Sequence, residues 1–216
     1  MKKLIKGIIN FRKNLNKEKK DFFEKLSVEQ KPDALFITCS DSRIVPNLFA
    51  SKDPGDLFVL RNVGNLIPPI SSNKENSAAA ALEFSVLSLK ISNIIVCGHS
   101  ECGAMQALVK GMDSLPCPSL KSWLKYAKKS LKNKSKLIVD PSLSEHNYVS
   151  QWNVLQQIEH IKSYPFISDR LKTNQIHLHG WWFDIAKADI YCYEKDINQF
   201  VLMDEKKAHL ILKNLS

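Results

Sequence analysis

The order of apolar runs predicts an α/β fold: a mainly parallel β-sheet with flanking helices, an N-terminal helical arm and a late antiparallel strand pair. Three observations carry this. Ala34-Leu35-Phe36-Ile37-Thr38 and Ile94-Ile95-Val96-Cys97-Gly98 are continuous apolar runs of strand length, the pattern of strands covered on both faces. Between them, the run Leu57-Phe58-Val59-Leu60 is followed by an alanine-rich stretch over 77–89, where Ala81, Leu82, Val86 and Leu89 fall on one helix face. Strand, helix, strand in this order implies a right-handed crossover and parallel pairing. Residues 176–183 and 188–193 then alternate apolar with polar, as a strand pair does. A chain of 216 residues that is 44% hydrophobic supplies one good core, so a single domain over 1–216 is expected.

Taken in order, 3–15 and 18–26 have helical spacing, with Phe22, Phe23 and Leu26 as an inner face. They precede the first strand, which puts residues 1–30 outside the sheet as an arm. Pro32 keeps Lys31 out of helix and ends that arm. Pro54-Gly55-Asp56 is a turn into the second strand, and 102–111 reads as a helix with Cys102 in its first turn. Helical patterns return over 119–131 and 145–164. In the second of these, Trp152, Leu155, Ile158 and Ile161 form an apolar stripe, and His146 and His160 read as surface residues. A last helix is expected over 205–212.

Composition narrows the function classes. No apolar run approaches the ~20 residues that span a bilayer, so neither a membrane anchor nor a secretory signal is expected. The net charge of +9 comes largely from lysines in the first thirty residues and over 121–136, both amphipathic helical stretches. That is the pattern of solvated helix faces, and no nucleic-acid-binding module accompanies it. The same charge attracts small anions over about 8 Å at physiological salt. Five cysteines, an odd number without framework spacing, fit free thiols in a reducing cytoplasm.

The chemistry concentrates where the first and third strands end. In Cys39-Ser40-Asp41-Ser42-Arg43 a thiol, a carboxylate and a guanidinium stand at alternate positions, on one side while the backbone stays extended. In His99-Ser100-Glu101-Cys102-Gly103 an imidazole and a thiol stand three apart at a strand-to-helix turn, with Gly103 small enough to let the backbone come close. Cys39, His99, Cys102 and one carboxylate make a tetrahedral zinc set, one ion per chain. Arg43 is placed to hold Asp41 by a charge-assisted pair. Cys97 reads as core, whereas Cys117 and Cys192 have no partner at metal spacing. His177 and His179 alternate on a strand, but no cysteine or carboxylate joins them.

The segments CSDSR (39–43), RNVGN (61–65) and CGHSECGAM (97–105), in this order and spacing, resemble the β-class carbonic anhydrases. The similarity is strong over 30–105 and reaches His179-Gly180-Trp181-Trp182 more weakly. It implies zinc-dependent, reversible hydration of carbon dioxide to bicarbonate and a proton. It also implies a homodimer or dimer-based oligomer whose N-terminal helices embrace a neighbour. Gln30, nine residues before Cys39, would bond substrate in the neighbouring subunit's cleft, and Phe58 and Val63 would form an apolar wall for a nonpolar gas. Asp41 would accept a hydrogen bond from the water that the metal activates, or in a closed form ligate zinc itself. One branch of the family binds bicarbonate at a second site built from tryptophan, arginine and tyrosine. Here those positions hold Phe36, Arg61 and Phe183, so the indole and phenol donors are absent and no such shut-off is expected.

Other classes fit less well. A structural zinc staple needs a closed four-ligand set and has no use for an arginine clamp on one ligand. A cysteine phosphatase places its arginine six residues after the nucleophile, and Arg43 comes four after Cys39. Hydrolysis of carbonyl sulfide or carbon disulfide on the same fold and metal remains open at this level.

Overall fold

The computed structural model describes residues 1–50, 53–72, 76–131 and 137–215. Helices α1 (Lys2–Lys13) and α2 (Lys17–Leu26) come first, the second capped by Asn16, whose side chain accepts from the Lys19 N–H at 2.9 Å. Phe11 and Phe23 meet edge to face between them. Neither helix buries a residue, and Leu4, Ile8 and Phe11 are 65%, 61% and 55% exposed. The apolar stripe of α1 is therefore left uncovered among the described residues, whereas Leu26 of α2 lies against the turn at Gly55.

The sheet begins with β1 (Ala34–Cys39), every residue of which is buried. A short helix α3 (Pro46–Phe49) leads to β2 (Leu57–Asn62), and α4 (Ser77–Glu83), capped by Asn76, leads towards β3 (Asn93–His99). The helix expected over 77–89 changes character after Glu83, closing as a π turn over Phe84–Ser88. Next come α5 (Gly103–Lys110) and α6 (Pro118–Leu124), the latter running on as 3-10 turns over Lys125–Leu131. Residues 132–136 of the lysine-rich stretch lie outside the described residues. The long α7 (Glu145–Lys162) and α8 (Pro165–Lys172) precede β4 (His177–Asp184), β5 (Asp189–Glu194), β6 (Gln199–Leu202) and α9 (Glu205–Leu215).

The strand order is β2-β1-β3-β4-β5-β6. The first four strands are parallel, while β4–β5 and β5–β6 are antiparallel. The antiparallel pair expected late in the chain is β4 and β5; β6 extends it, and α8 also goes beyond the sequence reading. Cys39 ends β1 and His99 ends β3, next to each other at the carboxyl edge where connections diverge to either side of β1. Open α/β sheets put their sites at such a switch point.

One face of the sheet, with Leu35, Ile37, Ile94, Val96 and Trp182, packs on Ala78 and Leu82 of α4 and on Val154, Ile158 and Ile161 of α7. The other presents Phe36, Ile95, Cys97 and Phe183 to Ile44 and Phe49. A third cluster, Leu66, Met105, Leu108, Leu124 and Val149, lies against Cys39 and Cys102. Cys97 is core, as expected, and its thiol is pushed up by burial.

His160 corrects the sequence reading. It is 7% exposed, not on the surface, and its Nδ1–H donates to the Ile67 carbonyl at 2.7 Å. Burial holds its pKa below the ordinary histidine value. The folded chain thus resists protonating a ring that the unfolded chain protonates at about pH 6.5, so stability is full above that pH and declines as the pH falls towards the folded-state value. Urea titrations of the parent and His160→Gln at a series of pH values should show a shallower decline below about pH 6.5 in the variant, and parallel curves would contradict this.

Candidate metal centre

Cys39, His99 and Cys102 come together as a buried group whose ligand atoms all lie within 4.8 Å of one another. The edges of a tetrahedron with metal bonds of about 2.0–2.3 Å are about 3.3–3.8 Å, so small side-chain adjustments would bring the three onto one zinc ion. The imidazole is aimed for it. Nδ1 of His99 donates to the Ser100 carbonyl at 2.8 Å, which leaves Nε2 with the lone pair, fully buried and without a hydrogen-bond partner. An orphaned ring nitrogen facing two sulfurs fits a cation, and two thiolates with one imidazole are a donor set for a borderline-soft ion. Among the described residues no other cluster of this kind forms; His177 and His179 remain exposed on β4, with His179 Nε2 near Asn93 Oδ1 at 3.2 Å.

The two thiols are not equivalent. The Cys39 thiol is pulled down to about 4, chiefly by a hydrogen bond from Cys102 and against the desolvation of burial, with His99 and the Gly64 N–H adding to the effect. That N–H lies 3.4 Å from the sulfur. The same Cys39–Cys102 bond, with burial, pushes Cys102 up. Cys102 is the N-cap residue of α5, just ahead of its first turn and not inside it. The helix N–H groups of Ala104 and Met105 do favour its thiolate, but the neighbouring Cys39 charge outweighs them. Gly103 opens the helix, and a Cβ there would meet nothing within 4 Å, so the residue leaves the approach to the site open without being forced by a close contact.

Asp41 stands over the group and is held off it. Arg43 grips its carboxylate with two parallel bonds, Nε to Oδ1 at 2.9 Å and Nη2 to Oδ2 at 2.8 Å, and the Arg43 N–H adds a third at 3.0 Å. Arg43 holds the carboxyl well below the usual carboxylate range. Asp41 Oδ2 is 4.0 Å from His99 Nε2, on the open side of the ligands. A second arginine fixes the loop from behind: Arg61 donates to the Cys39 carbonyl at 3.1 and 3.2 Å and to the Asp41 carbonyl at 2.8 Å.

Helix α7 sets the loops, and sequence reasoning missed it. At three-residue intervals, Asn147 Oδ1 accepts from the Glu101 N–H at 2.7 Å, Ser150 Oγ donates to the His99 carbonyl at 2.8 Å, and Asn153 Nδ2 donates to the Gly64 carbonyl at 3.0 Å. Gln157 continues the row, with Oε1 accepting from the Ile67 N–H at 2.8 Å. The signal was available as polar residues at i, i+3, i+6 and i+10 beside an apolar stripe. β3 can come this close only because Gly98 has no side chain: a Cβ there would lie 2.8 Å from Val154 Cγ2 and 3.1 Å from Ser150 Oγ. Glu101, between the two ligands of the turn, has φ 54°, a left-handed conformation that costs a non-glycine residue about 1–3 kcal/mol and persists only where neighbours impose it.

Not every expected residue gathers here within one chain. Val63 is 42% exposed beside the site, its carbonyl held by Trp123 Nε1 at 2.8 Å. Phe58 lies four residues earlier on β2 than Asn62, the partner of Cys39, and packs on Phe84 with ring centroids 5.8 Å apart. Gln30 is exposed at the end of the arm.

Comparison with known proteins gives one family. The carbonic anhydrase family model matches residues 34–190. A carbonic anhydrase from Synechocystis is 38% identical over 211 residues, covering 93% of this chain and 74% of the relative. One from Helicobacter pylori strain J99 is 35% identical, covering 92% and 93%. Among solved structures, the β-carbonic anhydrase CcaA superposes with a TM-score of 0.84 at 38% identity, covering 94% of this chain and 98% of that one. A tetrameric β-carbonic anhydrase from Sordaria macrospora gives 0.74 at 29% identity, covering 88% and 94%.

Proposed function

The chain belongs to the β-class carbonic anhydrases, and from that premise we propose that Cys39, His99 and Cys102 hold one zinc ion and that the enzyme hydrates carbon dioxide reversibly to bicarbonate and a proton. The observation that carries the reading is the buried, partnerless His99 Nε2 between two cysteine sulfurs, with Asp41 and Arg43 paired beside it. Bound there, zinc supplies a Lewis acid that makes a water nucleophilic near neutral pH. Two thiolates cancel the ion's charge, so the protein must favour the deprotonated nucleophile by other means. Asp41 does this by accepting a hydrogen bond from the attacking oxygen, which orients a lone pair towards carbon dioxide. Arg43 keeps that carboxylate ionised and away from the fourth position. Val63 offers an apolar surface at the rim of the cleft. The five free thiols are consistent with a reducing cytoplasm, and among the described residues no helix is long and apolar enough to cross a membrane.

The incomplete cleft favours a dimer-based assembly. The arm leaves an apolar stripe uncovered, β2 is an edge strand, and Gln30 and Phe58 find no place at the metal group of their own chain. In this reading a second copy covers the stripe and receives Gln30 in its cleft, where the amide bonds bicarbonate and Phe58 adds apolar wall. Sedimentation at assay concentrations should show dimers or multiples of them, and a fully active monomer would contradict the assembly.

Regulation by bicarbonate at a second site is disfavoured. Phe36 is fully buried against Trp181 and Phe49, Phe183 stacks on Phe49 with centroids 4.8 Å apart, and Arg61 Nε and Nη2 donate to backbone carbonyls. An anion among these rings would go short of partners, at about 1–3 kcal/mol for each unmade bond. The rate should therefore fall with added bicarbonate as simple product inhibition, and a sigmoidal fall would count against this.

The central test measures zinc content and carbon dioxide hydration on one purified sample. One zinc per chain with hydration is expected, and Cys102→Ala should lose both. Full zinc occupancy in Cys102→Ala, or a zinc-loaded parent that does not hydrate carbon dioxide, would overturn the reading.

A further inference from the structure

Arg43 has a third anchor outside the carboxylate it grips. Its Nη2, besides bonding Asp41 Oδ2, donates to the Glu101 carbonyl at 3.0 Å. Arg43 is itself about half exposed, at 47% for the side chain, so neither burial nor packing fixes its guanidinium. What fixes it is where the Glu101 carbonyl points. That direction belongs to a left-handed turn that a glutamate does not adopt unaided.

The Glu101 side chain in that turn is held in a clasp. Asn147 Nδ2 reaches Oε1 at 2.9 Å, His146 Nε2 reaches Oε2 at 3.0 Å, and Gln106 Nε2 reaches Oε2 at 3.2 Å. Asn147 closes a ring by also accepting from the Glu101 N–H at 2.7 Å. Two residues at the start of α7 and one on α5 thus converge on one carboxylate, whose own backbone carbonyl faces the opposite way, to Arg43. The chain of contacts runs from α7 through Glu101 and Arg43 to Asp41, and ends 4.0 Å from the metal-facing nitrogen of His99.

We infer that Glu101, clasped by Asn147, His146 and Gln106, is a positioning residue that keeps Asp41 on Arg43 and off the metal. With the clasp removed, the turn relaxes towards ordinary φ, the carbonyl leaves Arg43, and the guanidinium is held by Asp41 alone. The carboxylate is then free to compete with water for the fourth position. Glu101 touches neither substrate nor metal in this role. The inference rests on the zinc reading of the site and adds a control on which of two oxygen donors completes it.

The test uses the full chain carrying cobalt(II) in place of zinc, because the visible spectrum of cobalt reports its donors independently of turnover. Glu101→Ala should keep one metal per chain, lose about tenfold in kcat, and show a changed spectrum that reverts when Asp41→Asn is added. Glu101→Gln, which keeps an acceptor for Asn147, should restore the parent spectrum and bring kcat to within about threefold of the parent. Should Glu101→Ala fail to fold, His146→Ala removes one partly exposed arm of the clasp and should give the same spectral change at smaller amplitude. A parent-like spectrum in a metal-loaded Glu101→Ala chain, or a changed spectrum that survives Asp41→Asn, would overturn the inference. Loss of metal from Glu101→Ala would also overturn it, by showing that the clasp merely holds the ligand loop. A parent chain that takes up no metal would instead bring down the zinc reading itself.

Discussion

His99 Nε2 lies fully buried between two sulfurs, and leaving such a nitrogen unmatched in a protein interior costs about 1–3 kcal/mol. The rest of the carboxyl edge is arranged so that this nitrogen, the Cys39 sulfur and the Cys102 sulfur stay within reach of one ion. The parallel sheet brings the ends of β1 and β3 side by side, and Gly98 lets α7 approach β3 closely. From there the polar row on α7 fastens the backbone of each loop, at Glu101, His99 and Gly64. A helix that covers a sheet ordinarily turns an apolar face to it. This one gives up part of that burial for directed bonds, each worth about 1 kcal/mol net, because a ligand set tolerates little displacement.

Charge explains the residues around the ligands. Two thiolates neutralise a divalent ion, which makes the site good at holding metal and poor at acidifying water. In the proposed mechanism the compensating carboxylate, Asp41, is also a potential fourth ligand, so the same group can assist or block. Arg43 resolves this by geometry: a bidentate grip satisfies both oxygens of Asp41 in one orientation. Arg61 works on the backbone of the same loop, through Nε and Nη2.

Much of this was legible in the sequence because it depends on local pattern. Continuous apolar runs marked β1 and β3, and alternate spacing placed Cys39, Asp41 and Arg43 together. The assembly of His99 and Cys102 with Cys39, 60 and 63 positions apart along the chain, followed from both segments ending parallel strands. What escaped notice depends on partners distant in sequence. His160 looks like a surface residue on an amphipathic helix until the Ile67 carbonyl is found against it. Asn147, Ser150 and Asn153 look like a solvated face because polar residues on a helix usually are one. Cys102 stands at a helix start, which favours a thiolate, yet the hydrogen bond it shares with Cys39 lowers the Cys39 thiol instead. Gln30 and Phe58 illustrate another limit, since one chain does not bring them to its own metal group.

Zinc-edge X-ray absorption on the purified wild-type enzyme at neutral pH tests the central claim most directly, because it counts the donors around the ion. The account predicts two sulfurs at about 2.3 Å and two lighter donors at about 2.0–2.1 Å, one of them an imidazole. A first shell with no sulfur, or with three or four, would contradict it.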